Sequence, residues 1–209
     1  MEENDAAFLK LLADDVDWAL GHIEKSDTQA ARRNLLRNLV SAAEGVSWIY
    51  RMHVMSIARH FDAATPLAEM AFAETSYSVT EQGVIVEQAR HISMTAMIRL
   101  TTKVAQSFCN DAEVDFGGTG WANFKRAIAA RNRITHPKRP DDLLLTDEEI
   151  DAAKTGFFWF SDMAVGVMEA TLKELASDAQ AARKLLEMYK SGDPETLALF
   201  ERAHHEAED

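Results

Sequence analysis

Apolar residues recur every three or four positions along almost the whole of this chain, and only four prolines interrupt them. That spacing matches the 3.6-residue turn of an α-helix, so most of the molecule must bury helical stripes against one another. Leu36, Leu39, Val40, Ala43, Val46, Tyr50, Val54, Ile57 and Phe61 predict one long core helix from Asp27, its expected cap, to Phe61. Gly45 is its weak point or a place of close packing. An earlier helix is expected from Asp5 to about Lys25, and Pro66 opens a short one that runs to about Thr75.

Between Tyr77 and Glu87, β-branched and aromatic residues alternate around Gly83, which predicts a small β-hairpin. Ser93 then starts a helix whose stripe includes Met97, Ile98, Thr101 and Val104. Another spans Trp121 to Thr135, and Thr146-Asp147-Glu148-Glu149 forms a capping box before a long final core helix. A last short helix starts at Gly192-Asp193-Pro194. The expected fold is all-α, an antiparallel helical bundle with a small β-hairpin. A single domain over residues 1–209 is expected, with a core at about 28–175 and helical extensions at both ends.

The single cysteine, Cys109, excludes an internal disulfide and reads as a small core residue. No amino-terminal stretch looks like a secretory signal, so a cytoplasmic location is expected. The richest apolar stretch, Thr155 to Leu175, is broken by Ser161, Asp162, Glu169 and Lys173, so no membrane span is expected.

The net charge of −12 argues against a protein that coats nucleic acid indiscriminately. The charge is uneven, however. Between Phe116 and Pro140 lie none of the 34 acids but six of the 22 bases: Lys125, Arg126, Arg131, Arg133, Lys138 and Arg139. A basic helix face paired with acidic neighbours would be the ordinary meaning of such an island. Inside it stands Arg131-Asn132-Arg133-Ile134-Thr135-His136.

Asn132 and His136 are one helical turn apart, and the long Arg131 side chain can reach the same region. Pro137 disfavours helical backbone at His136, which puts the histidine at or just beyond the last turn. Histidine can carry a proton near neutral pH, arginine offers a fork of donors to phosphate, and asparagine can hold the imidazole or a phosphate oxygen in place. These residue types suit phosphodiester chemistry on RNA, whose 2′-hydroxyl is an internal nucleophile. The scheme calls for no metal or cofactor.

This segment resembles the Arg-polar-x-x-x-His signature of the HEPN superfamily of helical domains. The resemblance implies a metal-independent endoribonuclease of the toxin–antitoxin or phage-defence kind, with RNA as substrate and a composite site across a homodimer. It also implies an antitoxin or other protein partner. His136 would be the acid/base group, Arg131 the phosphate binder and Asn132 the orienting residue. Lys125, Arg126, Arg133, Lys138 and Arg139 would contact RNA by proximity. Pro137 and Lys138 stand where one toxin branch carries a tyrosine, so the resemblance is to the superfamily and not to that branch. Arg37 to Gly45 is similar to the long early helix of some members, and Glu44 is a residue that could face the site, although a mid-helix glutamate is ordinarily solvated or paired. The alternative expectation is a non-catalytic helical module that binds RNA or a protein, and a third is an inert structural dimer.

Other segments carry less. Gly117-Gly118-Thr119-Gly120 precedes a helix but lacks the ending of a P-loop. His53 and His60 share a helix face without a third ligand, which makes them packing or surface residues, and His204 and His205 lie in an acidic tail.

Overall fold

A computed structural model describes residues 3–208, with side chains from Ala6 to Ala203. The described residues form helices α1 (Glu3–Lys25), α2 (Gln29–His60), α3 (Pro66–Phe72), α4 (Met94–Gln106), α5 (Thr119–Thr135), α6 (Asp147–Lys190) and α7 (Pro194–Glu208). Strands β1 (Thr75–Val79) and β2 (Ile85–Ala89) make one hairpin, and a short 3-10 turn occupies Pro140–Leu143. The architecture is the expected all-α bundle with a small antiparallel hairpin.

The centre of the bundle is α2, which packs on α1, α4, α5 and α6. Its stripe buries in two directions. Leu35, Leu36 and Leu39 join Val16 and Ile23 of α1, Ile134 of α5, and Leu145 and Ile150. Tyr50, Val54 and Ala58 join Ile98 of α4, Phe124 of α5 and Phe160 of α6. Burying side chains of this size contributes about 1.5–3 kcal/mol each, which makes these two clusters the main source of stability. The Tyr50 hydroxyl is buried with them and shares a hydrogen bond with Thr102 Oγ1 at 2.9 Å, so its polar end does not oppose the packing.

Several boundaries differ from expectation for local reasons. Thr28, not Asp27, caps α2, with its Oγ1 accepting from the Ala31 amide at 3.2 Å. Asp27 is drawn off by Arg32, whose Nε and Nη2 both donate to it at 2.6 Å. Arg32 also donates to Asp147 Oδ1 at 2.5 Å and to the Leu145 carbonyl at 2.9 Å. The Gln29 side chain closes the same junction, donating to the Leu145 carbonyl and accepting from its amide. The start of α2 is thereby stitched to the start of α6, where Thr146 and Glu149 form the expected capping box. The hairpin reaches two residues further at each end than expected, pairing Thr75 with Ala89 and Val79 with Ile85. Correspondingly α3 stops at Phe72, and Glu74 takes a left-handed φ of 51° where the chain turns into β1.

Glycines let the helices approach closely. At Gly156 of α6 a side-chain carbon would overlap the backbone of Phe124 on α5, and at Gly120 of α5 it would overlap the Trp159 ring. Gly45 of α2 is likewise a close-packing point, covered by Phe8 and Leu12 of α1. Beyond Thr171 no residue of α6 is buried, and the helix continues outward to Lys190 with α7 folded back on it through Tyr189 and Phe200. No described helix is long and apolar enough to cross a membrane.

Candidate nucleic-acid interface

The basic island is the second half of α5 and the connector that follows it. Helix α5 ends at His136, whose φ of −123° and ψ of 57° are not helical, as Pro137 requires. The His136 amide still donates to the Asn132 carbonyl at 3.1 Å, so the ring is anchored at the last turn while the side chain is exposed. Thr135 Oγ1 donates back to the Arg131 carbonyl at 2.7 Å. In the connector the amides of Lys138 and Arg139 both donate to Asp142 Oδ2, at 2.8 and 3.0 Å. These two bonds hold the Asp142 carboxyl below its usual range and fix the backbone that carries the two bases.

Helix geometry divides the three residues Arg131, Asn132 and Arg133. At about 100° per residue, the two arginines leave α5 on opposite flanks, with Asn132 on the outer face between them. Arg131 turns to α2, where Nη2 donates to Glu44 Oε1. Arg133 turns to the start of α6, where Nη2 donates to Glu149 Oε1 at 2.7 Å and Nη1 to the Leu144 carbonyl at 3.1 Å. Arg133 thus serves the junction of α5 with the capping box. Lys125 falls on the same outer face as Asn132 and His136, with its Nζ 6.0 Å from the centre of the Trp121 ring. Lys125, Arg126, Lys138 and Arg139 are exposed, and none has an ion-pair partner among the described residues. The island is therefore partly paired and partly open.

Glu44 is what sequence reasoning undervalued. It is paired, as a mid-helix glutamate ordinarily is, but its partner is the arginine of the motif. The pair is half open to water, with the Arg131 side chain 26% and Glu44 52% exposed, so it contributes under about 1 kcal/mol. Glu44→Gln is expected to change the free energy of unfolding in urea by no more than that and to tighten RNA binding a few-fold by freeing a guanidinium. Weaker binding in a titration at fixed salt would mean that Glu44 positions Arg131 rather than competing for it.

One turn further along α2, Trp48 and Arg51 line a cavity with Glu44. No signal in the island pointed there. The only trace in sequence is the polar set Glu44, Ser47 and Arg51, placed at helical spacing beside the apolar stripe.

The remaining candidates have local partners. The Gly117 amide donates to Asp115 Oδ1 at 2.7 Å, which places a carboxylate where a phosphate cradle would need an anion site. Cys109 is buried in the core. His60 meets Asp178 of α6 at 2.9 Å. His53 Nε2 lies 3.2 Å from the Met168 carbonyl and 3.1 Å from Thr171 Oγ1. The side chains of His204 and His205 lie outside the described residues. Burial pushes the His53 ring below its ordinary value near 6.5, outweighing the opposing effect of the Met168 carbonyl. Between the folded and unfolded values the unfolded chain binds the extra proton, so stability is full above about pH 6.5 and falls as pH drops through the folded value. The urea midpoint is expected to fall between about pH 7.5 and pH 5, and to fall less in His53→Gln. An equal fall in both proteins would assign the loss to other groups.

No protein-family model, no curated protein and no solved structure matches this chain.

Proposed function

We propose that this protein is a homodimeric, metal-independent endoribonuclease of the HEPN type, cleaving RNA by attack of the 2′-hydroxyl. The observation that carries the reading is the exposed His136 at the break of α5, with Asn132 one turn before it and the Arg131 guanidinium on the adjoining flank. A neutral imidazole takes the proton of the 2′-hydroxyl while the 2′-oxygen forms a bond to phosphorus. The bond from phosphorus to the 5′-oxygen breaks, and that oxygen receives a proton from a protonated imidazole. The products are a 2′,3′-cyclic phosphate and a 5′-hydroxyl. Arg131 neutralises the phosphate oxygens, and Asn132 orients the ring or a phosphate oxygen.

One histidine cannot be neutral and protonated at once. The reaction is served by two, His136 of one protomer and the partner subunit's His136. Support for a second copy comes from α6, where Phe158, Val165 and Leu172 are each about half exposed at heptad spacing. That is an apolar stripe of the kind that seats a symmetric partner helix.

Incubating purified protein with a mixed RNA pool in excess chelator tests the proposal. Cleavage leaving cyclic phosphates is expected, and intact RNA over the same period would sink it. A second reading, a non-catalytic module that binds RNA or a protein, draws on the Glu44 pair, which neutralises Arg131 in the free chain. Binding without cleavage across a range of pH would select it.

A further inference from the structure

Beside Glu44 lies a cavity of about 230 Å³ between α2, the root of the hairpin and the start of α4. It is lined by Ser47, Trp48, Arg51, Glu74 and His91 among others. Arg51 is only 5% exposed, yet its Nε has no hydrogen-bond partner, and the contact of Nη1 with Glu74 Oε2 is long at 3.5 Å. A guanidinium presents five donors, and leaving even the one on a buried Nε unmet is costly. The Trp48 ring lies against it, with its centre 4.4 Å from the guanidinium carbon. Trp48 itself is 53% exposed, so a flat aromatic surface borders an under-satisfied cation at the mouth of a cavity.

We propose that this cavity seats one unpaired guanine base of bound RNA, stacked on Trp48 and read by Arg51. The inference rests on the reading above in that RNA is the ligand. Unpaired bases stack on tryptophan and on arginine planes. Guanine offers two adjacent acceptors, O6 and N7, to a guanidinium, and carries its donors on the other edge. Glu74 supplies a carboxylate for those donors. The volume is below the roughly 300–1,000 Å³ of drug-sized ligand sites, which suits a single base. Since Glu44 also holds Arg131, the base pocket adjoins the phosphate-binding side of the motif, and guanine next to the scissile phosphate becomes the specificity determinant.

Incorporating 5-fluorotryptophan gives four 19F resonances, one for each tryptophan, assigned by Trp→Phe substitutions. GMP is expected to shift the Trp48 signal at concentrations about tenfold below those of AMP, CMP or UMP, and inorganic phosphate not to shift it. Arg51→Lys, with its fold checked by circular dichroism, is expected to remove the preference. In the His136→Ala background, a hexaribonucleotide holding one guanine should bind about tenfold tighter than its adenine counterpart, and Trp48→Ala should erase that difference. Equal shifts by all four nucleotides, no shift with GMP, or a preference that survives Arg51→Lys would overturn the site. GMP binding as tightly as the hexamer would assign the pocket to a free nucleotide and overturn the RNA occupant. These readouts involve no cleavage, so an uncut RNA pool would remove the nuclease reading and leave the guanine site standing.

Discussion

Replacing His136 by alanine is expected to slow chelator-resistant RNA cleavage by about 10²–10⁴-fold, the range that positioned proton transfer contributes. The fold should not notice. The tie of His136 to α5 is its backbone amide on the Asn132 carbonyl, and the ring is exposed, so the free energy of unfolding measured in urea should change by less than about 0.5 kcal/mol. In the proposed mechanism one ring accepts a proton while its symmetry mate donates one, which predicts a rate that peaks between two ionisations and falls on both sides. An alanine variant that cleaves at the native rate would assign the cleavage to another residue or to a contaminant.

The largest effect on stability is expected at Gly156. An alanine carbon there would come within 2.6 Å of Phe124 Cα, and the obstacle is backbone, so no side-chain rotation can relieve it. Glycine to alanine in a helix normally gains about 1 kcal/mol. Forcing atoms into a packed interface costs about 1–3 kcal/mol and occasionally more, so the clash wins. Gly156→Ala should destabilise the protein, and Gly156→Val should do so further while displacing α5, taking RNA cleavage with it. Gly166, ten residues along the same helix, provides the control. A side chain there meets nothing within 4 Å, so Gly166→Ala should stabilise by up to about 1 kcal/mol. Equal melting temperatures for Gly156→Ala and the native chain would mean that α5 and α6 can separate freely at this crossing.

The elements that were legible in sequence are those whose signals are local. The α2 stripe from Leu36 to Ile57 repeats at helical spacing, Gly83 marks the hairpin turn with a φ of 75°, and the Thr146 capping box is written in four consecutive residues. Asp27 and Thr28 are both good caps, and only the distant Asp147, which helps hold Arg32 beside Asp27, shows why the aspartate is otherwise engaged. The candidate site divides in the same way. Its α5 portion is contiguous and could be read. The Glu44 contact joins residues 87 apart, and only the resemblance of Arg37 to Gly45 to an early family helix had hinted that Glu44 faces the motif. The cavity at Trp48 and Arg51 needed α2, the hairpin root and α4 to be placed together before an arginine on α2 could be seen as buried and unsatisfied.

The outward run of α6 bears on how the protein's size must be measured. Its 44 residues extend about 66 Å, whereas a compact chain of this length has a radius of gyration near 17 Å, equivalent to a sphere about 43 Å across. The helix alone outspans that sphere, so a single copy tumbles slowly and meets more drag than its mass implies. Elution volume would then report a monomer as something larger, and the number of copies has to be counted by light scattering or sedimentation equilibrium, which weigh the particle rather than time its passage.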